Sequence, residues 1–297
     1  MSAPAHLTDP ARRPIRPGYA IALTPAGSAH PLVRRYSSAR RNLLPRDDRV
    51  VALRGGWAHR QLLTTSVAPE VLLWCPGEPG QPPEPPVAEL ARLARAAYEI
   101  SPRTLARVHP GATAPEVLSV VGIPRWDPRR LLGRGSRLLL VADGIEYAGN
   151  LGSLLRSVDG SGADGLLLTS PVARVTHPKA FTASRGTVLT TPVLEYDSAA
   201  AARRLLLRAG FSVIVADPAA TTTYADLAVS SGRVAFVVGS EGAGVSDDWR
   251  RPELQRVAIP MYGRADSLNV AVSASILLYD AGRERRGRAS KPEVTAR

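Results

Sequence analysis

From Arg137 onward, short apolar segments of strand length alternate with segments of helical periodicity. The apolar segments are nearly continuous, which is typical of strands buried on both faces. Strands of this kind, separated by helices, indicate a parallel sheet covered by helices on both sides. The sequence therefore predicts an α/β fold for this part of the chain, with the strands "RLLLVAD", "DGLLLTS", "TTPVLEY", "FSVIVAD", "RVAFVVG" and "RVAIPM".

The N-terminal half is organised differently, with shorter apolar runs and more proline. "HPLVRRYSSARRNLL" predicts a basic helix, and "AELARLARAAYEI" (88–100) predicts another. The proline-rich residues 77–87 predict a loop, because prolines lack the N–H that regular pairing needs. The predicted division is a flexible basic extension (1–30), a small α/β domain (31–125), a linker (126–136), the larger α/β domain (137–285) and a basic tail (286–297).

The charge of the chain is strongly basic, with a formal net charge of +12. The excess lies in residues 1–60 and 281–297, whereas the segment between them is neutral. A neutral body with basic ends suits a polyanion bound through its phosphates. An arginine-rich composition inherited from a GC-rich genome, or tails that confer solubility, would give the same pattern. The candidate RNA-binding residues in the N-terminal domain are Arg34, Arg35, Arg40 and Arg41.

Several classes of protein are disfavoured by the sequence. No apolar run approaches the roughly 18 residues that a membrane span requires. The N-terminus lacks the apolar region of a secretory signal. Cys75 is the single cysteine, so an intramolecular disulfide and a cysteine-based metal cluster are both excluded. We expect a cytoplasmic protein that needs neither a membrane nor a metal.

Three loops follow strand ends, which is where parallel α/β sheets bind ligands. "DGIEYAGNLGSLLR" begins a predicted helix with Asn150 at the N-cap position and Arg156 off its apolar stripe. "GSEGAGVS" surrounds Glu241 with glycines, but it matches neither the dinucleotide-binding spacing nor the P-loop. "YGRADSLNVAVSASILL" places Ser267 and Asn269 before a long helix. Each loop alone is read equally well as a tight turn, a helix cap or a solvated charge.

Together and in this order, "NLGSLLR", "VVGSEGAGVS" and "IPMYGRADSLNVAVSASILLYD" resemble the SpoU/TrmH branch of the SPOUT family of RNA 2′-O-ribose methyltransferases. The resemblance is especially close to the thiostrepton- and avilamycin-resistance type of rRNA methyltransferase. It implies a C-terminal domain with a deep trefoil knot, a homodimer, and S-adenosyl-L-methionine bound in the knot. The preceding domain resembles the ribosomal-protein-like substrate-binding domain of the family through its layout and "SVVGIP". It departs from the family's acidic "VEG"-like turn, which is "ALRGGW" here.

The resemblance also implies roles for individual residues. Arg156 would contact the attacking ribose or its phosphate, and Asn150 would orient it. A guanidinium is a poor base, because its pKa exceeds about 12, so a substrate phosphate or a water is left as the proton acceptor. Glu241 would fix the loops, with Ser267 and Asn269 positioning the substrate. The implied cofactor-binding residues are Gly239, Ser240, Gly244, Ile259 and Leu268.

Two further side chains have open interpretations. Arg185, in a "SRG" turn, would touch an RNA phosphate or the cofactor carboxylate, although a cation is also favoured at a helix C-terminus. His177, beside Pro178, is interpreted as incidental to catalysis. The function implied is methylation of ribosomal RNA, for antibiotic self-protection or for housekeeping. Methylation of tRNA and a non-catalytic role in RNA binding or ribosome assembly are the alternatives.

Overall fold

The computed structural model describes residues 23–135, 137–227 and 232–286. Most of the predicted N-terminal extension and nearly all of the predicted basic tail lie outside these ranges. The described residues form two sheets, each with helices packed against it. The mixed N-terminal sheet has the strand order β1-β4-β3-β5-β2, and the parallel C-terminal sheet has the order β11-β9-β10-β6-β7-β8.

The N-terminal domain begins earlier than residue 31, because its edge strand pairs in parallel with β4. Strand β5 runs antiparallel to both of its neighbours, β2 and β3. Val33 and Tyr36 of α1 are buried in the core on one face of this sheet. The elements are β1 (Thr24–Pro25), α1 (Pro31–Arg40), β2 (Val50–Arg54), α2 (Gly55–Leu63), β3 (Pro69–Cys75), α3 (Pro85–Leu93), β4 (Ala96–Glu99), α4 (Pro102–Val108) and β5 (Glu116–Gly122).

Two predictions about this domain are wrong in detail. The single helix predicted over 88–100 is helix α3 followed by strand β4, which pairs with β3 on one side and β1 on the other. Pairing in the sheet thus overrides the helical propensity of this alanine-rich segment. The loop predicted over 77–87 ends early, because α3 starts at Pro85. Proline is tolerated there, since the first N–H groups of a helix have no intrahelical partner.

The predicted linker is ordered and belongs to the C-terminal domain. Asp127 caps the short helix α5 (Pro128–Leu132) by accepting a hydrogen bond of 2.9 Å from the N–H of Arg129. Leu131 is buried against the parallel sheet. Arg233 donates to the carbonyl oxygens that end this helix. The segment therefore fixes the start of the sheet rather than acting as a flexible spacer.

The C-terminal sheet confirms the predicted α/β class, because all of its strand pairs are parallel. Its strands separate two apolar cores, with Leu140 on the side of α6 and α9 and Leu139 on the side of α8. The elements are β6 (Leu138–Asp143), α6 (Ala148–Ser161), β7 (Gly165–Thr169), α7 (Pro178–Ala183), β8 (Val193–Tyr196), α8 (Ala199–Arg208), β9 (Phe211–Ala216), β10 (Arg233–Val238), β11 (Gln255–Val257) and α9 (Val270–Arg286).

The last helix takes an unusual path back across the sheet. Strand β11 lies at one edge, outside β9. After it, residues 258–269 lead back to α9, which packs on α6, β6 and β10 in the middle of the sheet. This return from the edge of the sheet to its middle is compatible with the predicted knot, which stays a prediction. It brings three distant segments of sequence to the same edge of the sheet.

Candidate functional site

A cleft opens beyond the carboxyl ends of β9, β10 and β11. Its walls come from the loops that follow these three strands and from the first turn of α9. All five residues predicted to hold the cofactor line it, and so do Glu241 and Ser267. The lining residues are Ala216, Asp217, Pro218, Val238, Gly239, Ser240, Glu241, Gly244, Val245, Val257, Ile259, Met261, Asp266, Ser267, Leu268, Val270 and Ser273.

The glycine-rich loop after β10 folds back on itself. Ser240 and Gly244 exchange two backbone hydrogen bonds, of 3.0 and 2.9 Å, so the intervening residues form a tight turn. Gly244 has a φ of +67°, which disfavours any residue with a Cβ. A Cβ on Gly239 would lie only 2.1 Å from the carbonyl carbon of Gly244. The two glycines are therefore required by the shape of the loop itself.

Three polar side chains from the three motifs meet at the mouth of the cleft. Asn150 donates from Nδ2 to Glu241 Oε1 at 3.1 Å, and Asn269 donates from Nδ2 to Asn150 Oδ1 at 3.2 Å. Asn269 also donates to the same carboxylate oxygen of Glu241. These three residues, called the polar cluster below, lie 91 and 28 residues apart along the chain. The fold thus brings together one residue from each of the three motifs.

The structure corrects the predicted role of Asn150. Tyr147 occupies the N-cap position of α6, without a side-chain cap hydrogen bond, and Asn150 lies inside the first turn. The asparagine that caps a helix is Asn269, whose Oδ1 accepts from the N–H of Ala271 at 3.0 Å. Asn150 therefore does not cap the helix, and its side-chain amide donates to Glu241 instead. The error arose because α6 starts two residues before the asparagine.

Asp143, at the end of β6, is a residue that the sequence analysis missed. Its carboxylate is buried, with 2% of the side chain exposed. It accepts one hydrogen bond of 2.7 Å from the N–H of Ser246 and another of 2.7 Å from Thr169 Oγ1. Asp143 thereby ties the end of the glycine-rich loop to the strand ends of β6 and β7. An aspartate that ends a buried apolar strand was the available signal.

Arg156 does not line the cleft of its own chain. It is exposed on α6 and makes no hydrogen bond or ion pair with any residue that the structure describes. On the same side of α6, a Cβ on Gly160 would lie 2.6 Å from the hydroxyl of Tyr279 in α9. Ser157 and Ser275 join the two helices by a hydrogen bond of 2.7 Å. Arg156 therefore borders a surface that α6 and α9 form together.

Arg185 and His177 lie away from the cofactor cleft. The guanidinium of Arg185 stacks over Trp57 of the N-terminal domain, 4.3 Å from the ring centroid. Trp57 in turn meets Phe181 edge-on, so this arginine covers a seam between the domains. His177 caps α7, because its Nδ1 accepts from the N–H of Lys179 at 3.0 Å. Burial and the charge of Lys179 lower the pKa of His177.

The four arginines predicted to contact RNA separate into two groups. Arg35 is occupied by carboxylates, with a bidentate pair to Asp48 at 2.8 Å and a contact to Glu70 at 3.0 Å. The hydrogen bonds from Arg35 lower the pKa of Asp48. The guanidinium of Arg35 is therefore engaged by carboxylates of the protein itself, against its predicted role as an RNA contact. Arg40 is partly occupied as well, because its Nε donates to the carbonyl oxygen of Val108 at 3.0 Å.

The other two predicted arginines converge on a pocket in the N-terminal domain. Arg34 and Arg41 line it together with Arg107, which the sequence analysis did not single out. No carboxylate is among the described residues of its lining. This arginine pocket is completed by Ser28, Ala29, Ser37 and Val108.

The described ranges contain neither a cluster of metal-ligating side chains nor a membrane-spanning helix. Within those ranges, no group of three or more His, Cys, Asp or Glu residues is arranged to hold a metal ion. No helix there is both long and apolar enough to cross a bilayer.

The strand order, the return of α9 and the cleft at the ends of β9–β11 define a SPOUT-type α/β domain. Residues 137–279 match the model of the SpoU rRNA Methylase family. The C-terminal domain of this chain therefore carries the family match that the three motifs predicted.

Two curated relatives illustrate the sequence similarity. The 23S rRNA (guanosine-2′-O-)-methyltransferase RlmB of Burkholderia sp. is 38% identical over 151 residues, which are 51% of this chain and 61% of that protein. The 23S rRNA (uridine(2479)-2′-O)-methyltransferase of Streptomyces viridochromogenes is 34% identical over 181 residues, which are 58% of this chain and 61% of that protein. The similarity thus spans about three fifths of the length of each relative.

Solved structures extend the likeness to both domains. The SpoU methyltransferase AviRb from Streptomyces viridochromogenes, in complex with AdoMet, superimposes with a TM-score of 0.73 at 26% identity. The match covers 87% of this chain and 100% of that one. An AdoMet-bound rRNA methyltransferase from Sinorhizobium meliloti gives a TM-score of 0.75 at 21% identity, over 90% of this chain and 99% of that one, and supports the fold alone.

Proposed function

We propose that this protein transfers the methyl group of S-adenosyl-L-methionine to a ribose 2′-oxygen of ribosomal RNA. The observation that carries the proposal is the polar cluster, in which Asn150, Glu241 and Asn269 meet at the mouth of a glycine-lined cleft. The names of the two curated relatives and of the AdoMet-bound neighbour support the reaction and the methyl donor. A ribosomal substrate implies a cytoplasmic location.

The cleft fits the cofactor in shape and chemistry. The close backbone approach at Gly239 leaves room for no side chain. Ile259 and Leu268 offer apolar contacts for a purine ring, and Asp217 and Ser267 offer polar groups to the donor's hydroxyl and amino groups. When bound, the donor supplies an electrophilic methyl on a sulfonium, so the protein contributes chiefly orientation and electrostatics.

The chemistry needs the 2′-oxygen to be held in line and its developing negative charge to be stabilised. Glu241 accepts hydrogen bonds from two amides, so its carboxylate is fixed before substrate arrives. Arg156 supplies the cation that holds the attacking oxygen or its neighbouring phosphate. A guanidinium remains protonated at neutral pH, so the proton passes to a substrate phosphate or to water.

Arg156 does not line the cleft of its own chain, which favours a role at the cleft of a second copy of the chain. The exposed side of α9 carries Val272 and Tyr279, which are 46% and 48% exposed. Tyr279 lies over Gly160 of α6, beside the turn that holds Arg156. An apolar surface on two packed helices is suited to a homodimer. We propose that dimerisation through this surface brings Arg156 to the partner's cleft.

A mixed dimer tests this arrangement. One chain carries Arg156→Ala and the other carries Gly239→Val, and each variant alone is expected to be inactive. If Arg156 acts across the interface, the mixed dimer contains one complete cleft and recovers up to half of the wild-type activity. If Arg156 acts within its own chain, no cleft is complete and the mixed dimer stays inactive. Size-exclusion chromatography with light scattering checks that each variant is dimeric.

The N-terminal domain is proposed to hold the RNA through its phosphates. Arg34, Arg41 and Arg107 face one pocket without an opposing carboxylate among its described lining residues. Such a pocket attracts a polyanion in a salt-dependent way. Arg185, which stacks on Trp57 at the domain seam, stays a weaker candidate for contact with the RNA. Arg40 is also a weaker candidate, because its Nε already donates to the carbonyl oxygen of Val108.

The reaction is tested with labelled S-adenosyl-L-methionine and 23S rRNA transcribed without modifications. The expected result is label on a ribose, which makes the adjacent phosphodiester resistant to alkali. A parallel reaction with unmodified tRNA tests the alternative substrate. Binding of rRNA without transfer of label would instead identify a non-catalytic assembly factor. Comparing the antibiotic sensitivity of hosts with and without the gene separates self-protection from housekeeping.

A further inference from the structure

A second cavity lies on the other side of Glu241 from the cofactor cleft. Glu241 lines both cavities, and Asn150 lines the second one. The two cavities therefore meet at the polar cluster. The second cavity, called the interdomain groove below, is lined by Asn42, Glu146, Tyr147, Ala148, Gly149, Asn150, Val172, Ala173, Arg174, His177, Lys179 and Glu241.

The width of the interdomain groove is fixed by contacts between the two domains. Asn42 of the N-terminal domain accepts from Arg174 Nη1 at 3.2 Å through its carbonyl oxygen. Its side-chain Oδ1 accepts from Thr176 Oγ1 at 3.2 Å. Arg46 donates to the carbonyl oxygen of Pro171 at 3.3 Å. Both domains therefore contribute walls that are held at a set separation before any ligand enters.

Tyr147 gives the groove an aromatic wall. It is 65% exposed, and its side chain makes no hydrogen bond to a residue within the described ranges. It is the N-cap residue of α6, three residues before Asn150, and both residues line the groove. An exposed aromatic ring beside a polar reaction centre offers a stacking surface for a nucleobase.

The groove also offers cationic groups to a phosphate. Lys179 lies over the first turn of α6, because a Cβ on Gly149 would be 3.3 Å from its Cε. Arg174 and Arg46 are close enough that the charge of Arg46 adds to burial in lowering the pKa of Arg174. The acidic lining residues are Glu146 and Glu241, and Glu241 is already engaged by two amides. The N-terminus of α6 adds further positive potential.

From this juxtaposition we infer that the interdomain groove binds the target nucleotide in an unpaired, splayed-out conformation. The base stacks on Tyr147, and Lys179 and Arg174 hold the flanking phosphates. The ribose then faces Glu241, on whose other side the methyl donor binds. This inference rests on the proposed function, and it assigns the binding of the target base to Tyr147, which lies outside the three motifs.

The stacking role is tested with Tyr147→Ala, Tyr147→Leu and Tyr147→Phe. Filter binding to a 23S rRNA transcript should show the Kd of Tyr147→Ala raised about 5- to 150-fold, which corresponds to the loss of one stacked base. Tyr147→Leu should be nearly as weak, because it keeps apolar area but loses the aromatic plane. Tyr147→Phe should match the wild type. The Kd for S-adenosyl-L-methionine should be unchanged in all three variants.

The phosphate role is tested with Lys179→Met and Lys179→Arg. Lys179→Met should lower the slope of log Kd against log salt by about one, as expected for one lost phosphate contact. Lys179→Arg should retain the wild-type slope. Arg208→Met is the matched control, since Arg208 is exposed on α8, which packs on the opposite face of the sheet.

The outcomes separate this inference from the proposed function. Absence of methyl transfer by the wild type, with the expected binding changes intact, overturns the reaction but leaves the groove as an RNA site. Wild-type RNA affinity in Tyr147→Ala together with a wild-type salt slope in Lys179→Met overturns the groove, whatever the activity. A change in dimer mass for Tyr147→Ala also overturns it, because Tyr147 would then belong to a subunit interface.

Discussion

The polar cluster and the arginine pocket differ in whether their charged side chains have partners within the protein. In the cluster, Glu241 is satisfied by the amides of Asn150 and Asn269. In the pocket, Arg34, Arg41 and Arg107 share a space with no carboxylate among its described lining residues. A group that must act on a reacting atom needs to be oriented in advance, because reorganisation during the reaction raises the barrier. A group that holds a polyanion needs only uncompensated charge, which the ligand itself neutralises.

The largest effect is expected from Gly239→Val, which disrupts the rigid loop that carries Glu241. In Gly239→Val the new Cβ would lie 2.1 Å from the carbonyl carbon of Gly244, so the loop must change its conformation. Isothermal titration calorimetry should detect no binding of S-adenosyl-L-methionine, a loss of at least about 100-fold. The matched control is Gly242→Ala, because a Cβ at Gly242 meets no atom within 4 Å. Equal losses in both variants would contradict a steric origin.

The next largest effect is expected from a substitution that removes the charge of the polar cluster while keeping its shape. Glu241→Gln replaces a carboxylate that accepts from Asn150 and Asn269 by an amide that accepts less strongly. Loss of one preorganised group of this kind typically lowers kcat by about 100-fold or more. Single-turnover methylation measures the effect, with the Kd for S-adenosyl-L-methionine as the control. A kcat equal to that of the wild type would show that the carboxylate has only a local structural role.

A third prediction concerns the pH dependence of the stability of the N-terminal domain, which carries the arginine pocket. His59 is buried between the carbonyl oxygen of Gly55 and the hydroxyl of Ser119. Burial lowers the pKa of His59 to about 4. The unfolded chain binds a proton near pH 6.5, so this contribution to stability is complete above that pH and falls as the pH drops toward 4.

The loss from His59 amounts to about 3 kcal/mol between pH 6.5 and pH 4, at about 1.4 kcal/mol for each unit. Urea unfolding followed at several pH values measures it. His59→Gln has no titratable group at this position, so its stability should be lower at neutral pH but less dependent on pH. Parallel pH profiles for the two proteins would contradict the buried neutral histidine.

The smallest expected effect concerns the arginine pocket itself. Arg107→Gln should weaken binding of the 23S rRNA transcript about fivefold and reduce its salt dependence, because one phosphate contact is lost. Arg35→Gln is the contrasting variant, since Arg35 is paired with Asp48 and Glu70. It should lower the free energy of unfolding by about 1 kcal/mol and leave the salt slope unchanged. A lower salt slope in Arg35→Gln together with a lower stability in Arg107→Gln would contradict both roles.

The sequence predicts the parallel sheet well, because strands buried on both faces leave long apolar runs. It misses β4, whose alanine-rich residues Ala96–Glu99 form a strand only because β1 and β3 pair on either side. The knot follows from the family resemblance and from no local pattern. The N-cap of α6 is Tyr147, three residues before the predicted cap Asn150.

The candidate site shows the same division between local and long-range information. The motif residues of the cleft were predicted through the family resemblance, which rests on the short motifs in the three loops. The ion-pair partners of Arg35 were not predicted, because Asp48 and Glu70 lie 13 and 35 residues away along the chain. Tyr147 and Lys179 were not singled out either, because the groove that they share exists only when the domains are joined.

A crystal structure with S-adenosyl-L-methionine tests the central claim most directly. The account predicts that the donor lies in the cleft between the loops after β9, β10 and β11, with its methyl group directed toward Glu241 and the interdomain groove. Electron density for the donor at any other place, or a donor in the cleft whose methyl group faces away from Glu241, would contradict it.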